Sequence, residues 1–141
     1  MASKIFLDAN IILEYILRRK QAEIVDSLFV EIENRKYRAF TSVSVIQICS
    51  YWIEKKFGTA KAKHILLTLL NNLIIIDATQ EFIVTALHSP VEDIEDALQY
   101  YTAIQHKMDY FITLDKKFIL QAIATLPICL PAELMAFGKH K

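Results

Sequence analysis

The chain is short of the residues that break regular structure, with 2 glycines and 3 prolines among 141 residues. That scarcity excludes a linker-rich or disordered chain and points to dense helices and strands with short connections. Cysteine is equally sparse. Cys49 and Cys129 lie far apart in apolar contexts, which excludes a disulfide framework and a thiolate zinc site and suits buried thiols in a reducing cytosol. The 16 basic and 16 acidic residues cancel, so no whole-molecule field steers the protein to a polyanion, and any such site must be local. No apolar run is long enough to span a membrane, and no basic leader with a cleavage site precedes Lys4-Ile5-Phe6-Leu7. The chain therefore reads as cytoplasmic, without membrane association. Low-complexity tracts and internal repeats are also absent.

What remains is 54% hydrophobic and patterned for a single domain over residues 1–141 with one substantial core. Ile5 to Leu7 reads as a buried strand. Ile11, Ile12, Tyr15 and Ile16 then recur at helical spacing, with Asn10 available as a cap. Helical patterns follow at 21–34, 43–56, 60–71 and 80–88, another begins near Glu92, and the last follows Pro131. Between them stand strand candidates at 38–41, 73–76, 110–113 and 128–130. In segment 43–56, Val45, Ile46, Cys49, Trp52 and Ile53 mark the apolar face of a central helix. In the helix after Glu92, the stripe is Ile94, Ala97, Leu98, Tyr101 and Ile104, which puts Tyr101 in the core and leaves Tyr100 nearer Asp96. Strands alternating with helices define an α/β fold, a three-layer α/β/α sandwich on a central, mainly parallel sheet.

The chemistry lies in the acids. Asp8 and Asn10 interrupt an apolar run where a strand gives way to a helix, and burying them without partners would cost several kcal/mol. In parallel α/β sheets the carboxyl ends of strands are where ligands and metals bind. Asp115 follows a second strand and Asp96 sits in an early helical turn, so a parallel sheet can gather all three. Singly, Asp96 also suits a helix dipole and Asp115 a helix cap. Together, three carboxylates without matching Arg or Lys repel one another, and a divalent cation neutralises them. Oxygen ligands with no His or Cys at ligand spacing favour Mg2+ or Mn2+ over Zn2+. Such an ion activates water and stabilises charge on a phosphoryl oxygen, which makes phosphodiester hydrolysis the natural reaction. His64, His88, His106 and His140 are scattered and read as surface or packing residues. The basic clusters Arg18-Arg19-Lys20, Arg35-Lys36 with Arg38, Lys55-Lys56 and Lys116-Lys117 read as solvated charge.

Three segments in order carry a resemblance: Leu7-Asp8-Ala9-Asn10-Ile11-Ile12-Leu13, Asp93-Ile94-Glu95-Asp96-Ala97-Leu98-Gln99-Tyr100, and Phe111-Ile112-Thr113-Leu114-Asp115-Lys116-Lys117-Phe118. With the closing Leu130-Pro131-Ala132-Glu133-Leu134, they resemble a PIN domain over essentially the full chain, most closely the VapC-like toxins of bacterial toxin-antitoxin modules. The resemblance implies an α/β/α fold and an endoribonuclease dependent on Mg2+ or Mn2+. It makes Asp8, Asp96 and Asp115 the catalytic, metal-holding acids, with Asn10 and Thr113 as supporting polar groups and Glu14 matching an acid common in the nearest branch. It further implies an RNA substrate, a small antitoxin partner and a homodimer.

One position departs from the family pattern. Where a second acid is expected, in Ser42-Val43-Ser44-Val45-Ile46-Gln47-Ile48, the chain has Gln47, which offers a carbonyl oxygen but no charge. Metal affinity should fall, unless Glu14, Asp93 or Glu92 fills the gap; alternatively Gln47 is a buried amide bonded to Asp8 or Asn10. Three functions stay open: the toxin ribonuclease, a catalytically weakened PIN-like module that binds RNA or protein, and a DNA-repair or ribosomal RNA-processing nuclease of the same fold.

Overall fold

The computed structural model describes residues 2–123 and 125–138; His140 lies outside them. In chain order the elements are β1 (Ser3–Leu7), α1 (Ala9–Leu17), α2 (Ala22–Glu33), β2 (Tyr37–Ser42), α3 (Val43–Phe57), α4 (Thr59–Leu69), β3 (Leu73–Ile76), α5 (Gln80–His88), α6 (Ile94–Gln105), β4 (Tyr110–Ile112), α7 (Lys116–Ile119), β5 (Ile128–Cys129) and α8 (Pro131–Gly138). The five strands form one sheet in the order β3-β2-β1-β4-β5. Every pairing is parallel, as alternating strands and helices require.

That order creates a switch point. From β1 the chain builds outward through β2 to β3, then crosses back to lay β4 on the other side of β1. Connections diverging from the carboxyl ends of β1 and β4 open a crevice there. Asp8 follows β1 and Asp115 follows β4 by three residues, so topology alone brings these two acids to the same edge.

The central strands are apolar on both faces because helices cover both. Ile5, Phe6, Leu7, Phe111 and Ile112 are all fully buried. Phe6 stacks on Phe111 across the β1–β4 pair, centroids 5.1 Å apart. Tyr100 of α6 and Phe118 of α7 meet Phe111 edge to face, the arrangement that aromatic quadrupoles favour. Tyr100 can be buried because its hydroxyl is satisfied: it donates to the Leu126 carbonyl at 2.6 Å and accepts from the Ile123 amide at 2.9 Å.

Helix α6 is therefore turned from the face its apolar stripe suggests. Ile94 is exposed and Tyr101 half-buried, while Ala97, Gln99, Tyr100 and Ala103 face inward. Leu98, Tyr101 and Ile104 pack at the rim of the core. The rotation has a functional consequence, since Asp96 lies one turn before the buried Gln99 and Tyr100 and so shares their side of the helix. On α3 the buried residues are Val45, Cys49 and Ile53. Trp52, expected beside them, is largely exposed. Cys49 and Cys129 are buried free thiols, pushed up to about 12 and about 11 chiefly by burial. No helix among the described residues is long and apolar enough to cross a membrane.

Candidate active site

Asp8 is the hub of the crevice. Its backbone stays extended and extends the β1–β4 ladder through an amide bond to Ile112 O at 3.0 Å. One carboxylate oxygen, Oδ1, accepts from the Ala9 amide at 2.8 Å and so caps α1. The other, Oδ2, accepts from the Thr113 hydroxyl at 2.9 Å and from Asn10 Nδ2 at 3.4 Å. Asn10 is thus not the helix cap its position suggested. Its amide instead bridges the two strand ends, donating to Thr113 Oγ1 at 2.9 Å and accepting from the Leu114 amide at 3.0 Å.

Thr113 closes the network. Its buried hydroxyl donates to Asp8 and accepts from both Asn10 and the Asp115 amide, the latter at 3.1 Å. A hydroxyl has one donor and two acceptor sites, so all three are used and the rotor is fixed. Asp115 then caps α7, its Oδ1 accepting from the Lys117 amide at 2.9 Å. One chain of hydrogen bonds thus joins Asp8, Asn10, Thr113 and Asp115.

Asp96 enters from α6, half-buried, with its backbone amide held by Asp93 Oδ1 at 2.9 Å in the N-cap of that helix. Its electrostatics report the convergence. Burial raises its titration from 3.8 to about 7, and the charges of Asp8, Asp93, Asp115 and Glu95 push in the same direction. Asp8 is raised to about 6, first by burial, while its bonds to Thr113 and Ala9 oppose the shift and Glu95 and Asp115 add to it. Among the described residues, neither of the two ion pairs touches these acids. The crevice therefore carries negative charge without a basic partner.

Two of the other expected residues lie elsewhere. Glu14 is buried, but its Oε1 accepts from the Gln21 amide at 2.7 Å and so pins the turn between α1 and α2. Gln47 is exposed, and its side chain makes no hydrogen bond to Asp8 or Asn10 among the described residues. The buried-amide alternative for Gln47 is thereby overturned: helix α3 turns Val45 and Cys49 inward, and position 47 falls on the opposite side.

Three residues were missed in the sequence. Thr41 donates to the Leu7 carbonyl at 2.8 Å, tying β2 to the last residue of β1. Ser42 caps α3 through the Val45 amide and bonds to the buried Gln99 of α6 at 2.5 Å. Gln99 follows Asp96 by three residues, so this contact fixes the helix that carries the acid. Serine as a cap before an apolar run was the available signal; its partner in α6 had none. Glu95 is the third, visible only through its effect on Asp8 and Asp96.

The donor set is all oxygen and mostly anionic, which fits a hard divalent cation. No three His, Cys, Asp or Glu side chains among the described residues are gathered closely enough to hold an ion together. The donor chemistry thus suits Mg2+ or Mn2+, while the spacing of the described side chains does not by itself form a three-carboxylate cage.

A parallel five-stranded α/β fold with an acidic crevice at its switch point defines the class. The family model of the PIN domain matches residues 4–117, and the chain belongs to the PIN domain family. No curated protein matches the sequence. Among solved structures, the chain is similar in fold to VapBC2 from Rickettsia felis bound to a DNA fragment from its promoter, with 19% identity, 90% of this chain and 98% of that chain covered, and a TM-score of 0.67. It is also similar to Mycobacterium tuberculosis VapC20, a Sarcin-Ricin loop cleaving toxin, at 14% identity, 87% and 98% coverage and a TM-score of 0.68. A third is the DNA-bound VapBC from Salmonella typhimurium, at 16% identity, 92% and 98% coverage and a TM-score of 0.66.

Proposed function

We propose that the protein is a metal-dependent endoribonuclease that hydrolyses RNA phosphodiester bonds as the toxin of a toxin-antitoxin pair. The observation that carries this reading is the uncompensated acidity of the crevice, where Asp8 and Asp96 are both held well above the ordinary carboxylate range. Asp8, Asp96 and Asp115 would hold Mg2+ or Mn2+. When bound, the ion supplies a Lewis acid and a hydroxide at neutral pH.

The chain's own residues do the positioning. Thr113 and the Ala9 amide hold the Asp8 carboxylate in one orientation, and Asn10 locks the ends of β1 and β4 together so that Asp115 keeps its register with Asp8. Such preorganisation removes reorganisation from the reaction step. Asp96 is the most accessible of the two strongly shifted acids and is free of side-chain bonds to cations among the described residues. The toxin assignment draws on the three similar structures, in which two are VapBC complexes and one is a cleaving toxin. A cleft of about 310 Å3 between α1, α2 and α4, lined by Tyr15, Ile16, Phe29, Ile65 and Leu69, offers a seat for a small antitoxin. A cytoplasmic homodimer completes the proposal.

A second reading rests on Gln47, which is exposed and brings no charge to the site: a PIN-like module weakened in catalysis that acts by binding RNA or protein. Cleavage of structured RNA with Mn2+ by the wild type, Asp8→Asn and Gln47→Glu separates the two. Metal-dependent product from the wild type that disappears with Asp8→Asn supports the ribonuclease. No product from the wild type, with activity appearing only in Gln47→Glu, overturns it in favour of the binding module.

A further inference from the structure

The charge of this chain is balanced overall but segregated along it. Between Lys55 and Ile76 there is no acidic residue, while Lys55, Lys56, Lys61 and Lys63 fall there. All four lysines are exposed, and none pairs with a carboxylate among the described residues. Glu54, the acid that precedes them, is engaged by the Thr59 hydroxyl at 2.9 Å.

Beside these lysines α3 exposes two aromatic rings. Tyr51 is 60% and Trp52 43% exposed, although burying rings of this size is among the largest gains a core offers. Their centroids are 5.0 Å apart at 78°, edge to face. The Lys55 ammonium stands 5.9 Å from the Tyr51 centroid and 5.5 Å from that of Trp52. Gln47, Tyr51 and Lys55 recur every fourth residue, so they share one helix face, at steps of roughly 6 Å along the axis. The exposed face thus runs from Gln47 through the Tyr51 ring to Lys55, with Trp52 beside it.

We propose that this face of α3 is a track for single-stranded RNA, on which bases stack against Tyr51 and Trp52 while Lys55 and its neighbours contact phosphates. The inference deepens the ribonuclease reading and rests on it for the choice of RNA. Flat bases on a polyanionic backbone match rings interleaved with cations, and sequence-tolerant single-strand sites are built this way. A second copy of the chain fits less well. A twofold interface would set this lysine-rich patch against itself, and interface cores are depleted of unpaired charge.

The chain has one tryptophan, so its fluorescence reports this surface alone. Short oligoadenylate is titrated into the full chain in EDTA, where metal-dependent cleavage is off. The expected result is saturable quenching of Trp52. Tyr51→Ala should weaken binding by about tenfold, and Lys55→Ala should lower the slope of log affinity against log salt by roughly 0.7. Both side chains are exposed, and unchanged circular dichroism confirms the fold. Polyglutamate, a polyanion without bases, should not quench. Equal quenching by polyglutamate overturns the proposal in favour of an acidic peptide. Emission that changes with protein concentration alone, with Trp52→Ala converting a dimer to a monomer in sedimentation, overturns it in favour of a second copy. Unaltered emission while oligoadenylate shifts the protein in a gel places the RNA elsewhere. Cleavage with Mn2+ is measured separately: cleavage without quenching leaves the ribonuclease and removes the track, whereas quenching without cleavage does the reverse.

Discussion

Replacing Asp8 with asparagine should make the metal-free protein more stable at pH 8 and less stable at pH 4. The wild-type carboxyl titrates at about 6 in the fold against 3.8 in the unfolded chain, because burial disfavours its charged form. The folded state therefore binds this proton more tightly, and the contribution runs opposite to that of a salt-bridged acid. It is fully present below pH 3.8 and is lost as pH rises through about 6. A shift of that size corresponds to about 3 kcal/mol. The side chain is almost wholly inaccessible, so solvent screening takes little from this figure. Asparagine removes the titration but weakens the network. Its carbonyl can still accept from Ala9, while its amide meets a Thr113 hydroxyl whose acceptor sites Asn10 and Asp115 already fill. That loss is about 1 kcal/mol at every pH. The variant should thus lie about 2 kcal/mol above the wild type at pH 8 and, because part of the wild type's cost is already present there, about 0.5 kcal/mol below it at pH 4. Urea unfolding in EDTA, followed by circular dichroism across this range, reads the crossing directly. Parallel curves, or a variant less stable at pH 8, would refute the claim that Asp8 is held charged at a cost.

Other substitutions test the surroundings of that acid. Ser42→Ala removes the α3 cap and strands the Gln99 carbonyl in the core, so urea unfolding should show a loss of about 3 kcal/mol, most of it recovered when Gln99→Leu is added. Glu14→Gln keeps an acceptor for the Gln21 amide; the thermal shift produced by Mn2+ should match the wild type, and a smaller shift would make Glu14 a helper acid after all. Gln47→Glu should raise Mn2+ affinity about tenfold by calorimetry, and an unchanged affinity would place position 47 outside the ion's field.

The fold was legible in the sequence wherever one residue pattern had one meaning. An acid closing the apolar run Ile5-Phe6-Leu7 can only sit at a strand end or be paired, and here it is both. Alternation of strands and helices dictated a parallel sheet, and Asp8 and Asp115 followed from it. What stayed hidden were the places where two patterns compete. On α6 the purely apolar stripe from Ile94 to Ile104 lost to a face containing Gln99 and Tyr100, because each of these polar groups finds a buried partner, Ser42 and the Leu126 carbonyl. Helix periodicity cannot see partners 57 or 26 residues away. Trp52 likewise reads as core by hydrophobicity, yet three residues at i, i+4 and i+8, Val45, Cys49 and Ile53, already fill that face. Asn10 reads as a cap because caps are local, whereas its strongest contacts are to Thr113 and Leu114, just past β4 and 103 and 104 residues on.

The glutamine at position 47 is best understood against the acids that remain. Two of them already titrate near neutrality without a metal, at about 6 and about 7, each raised first by burial and then by its neighbours' charge. A carboxylate at position 47 that swung from its exposed side of α3 toward the crevice would raise both, since every like charge disfavours ionisation of the others. The metal-free protein would then pay more for keeping its crevice ionised, or would hold it protonated and unable to ligate. Gln47 avoids that cost and forgoes one unit of attraction for the cation. Affinity and metal-free stability should therefore move in opposite directions in Gln47→Glu: tighter Mn2+ binding together with lower stability in EDTA at pH 8. Unchanged affinity together with unchanged stability would instead leave position 47 outside the crevice, on the exposed side of α3 that it occupies in the metal-free fold.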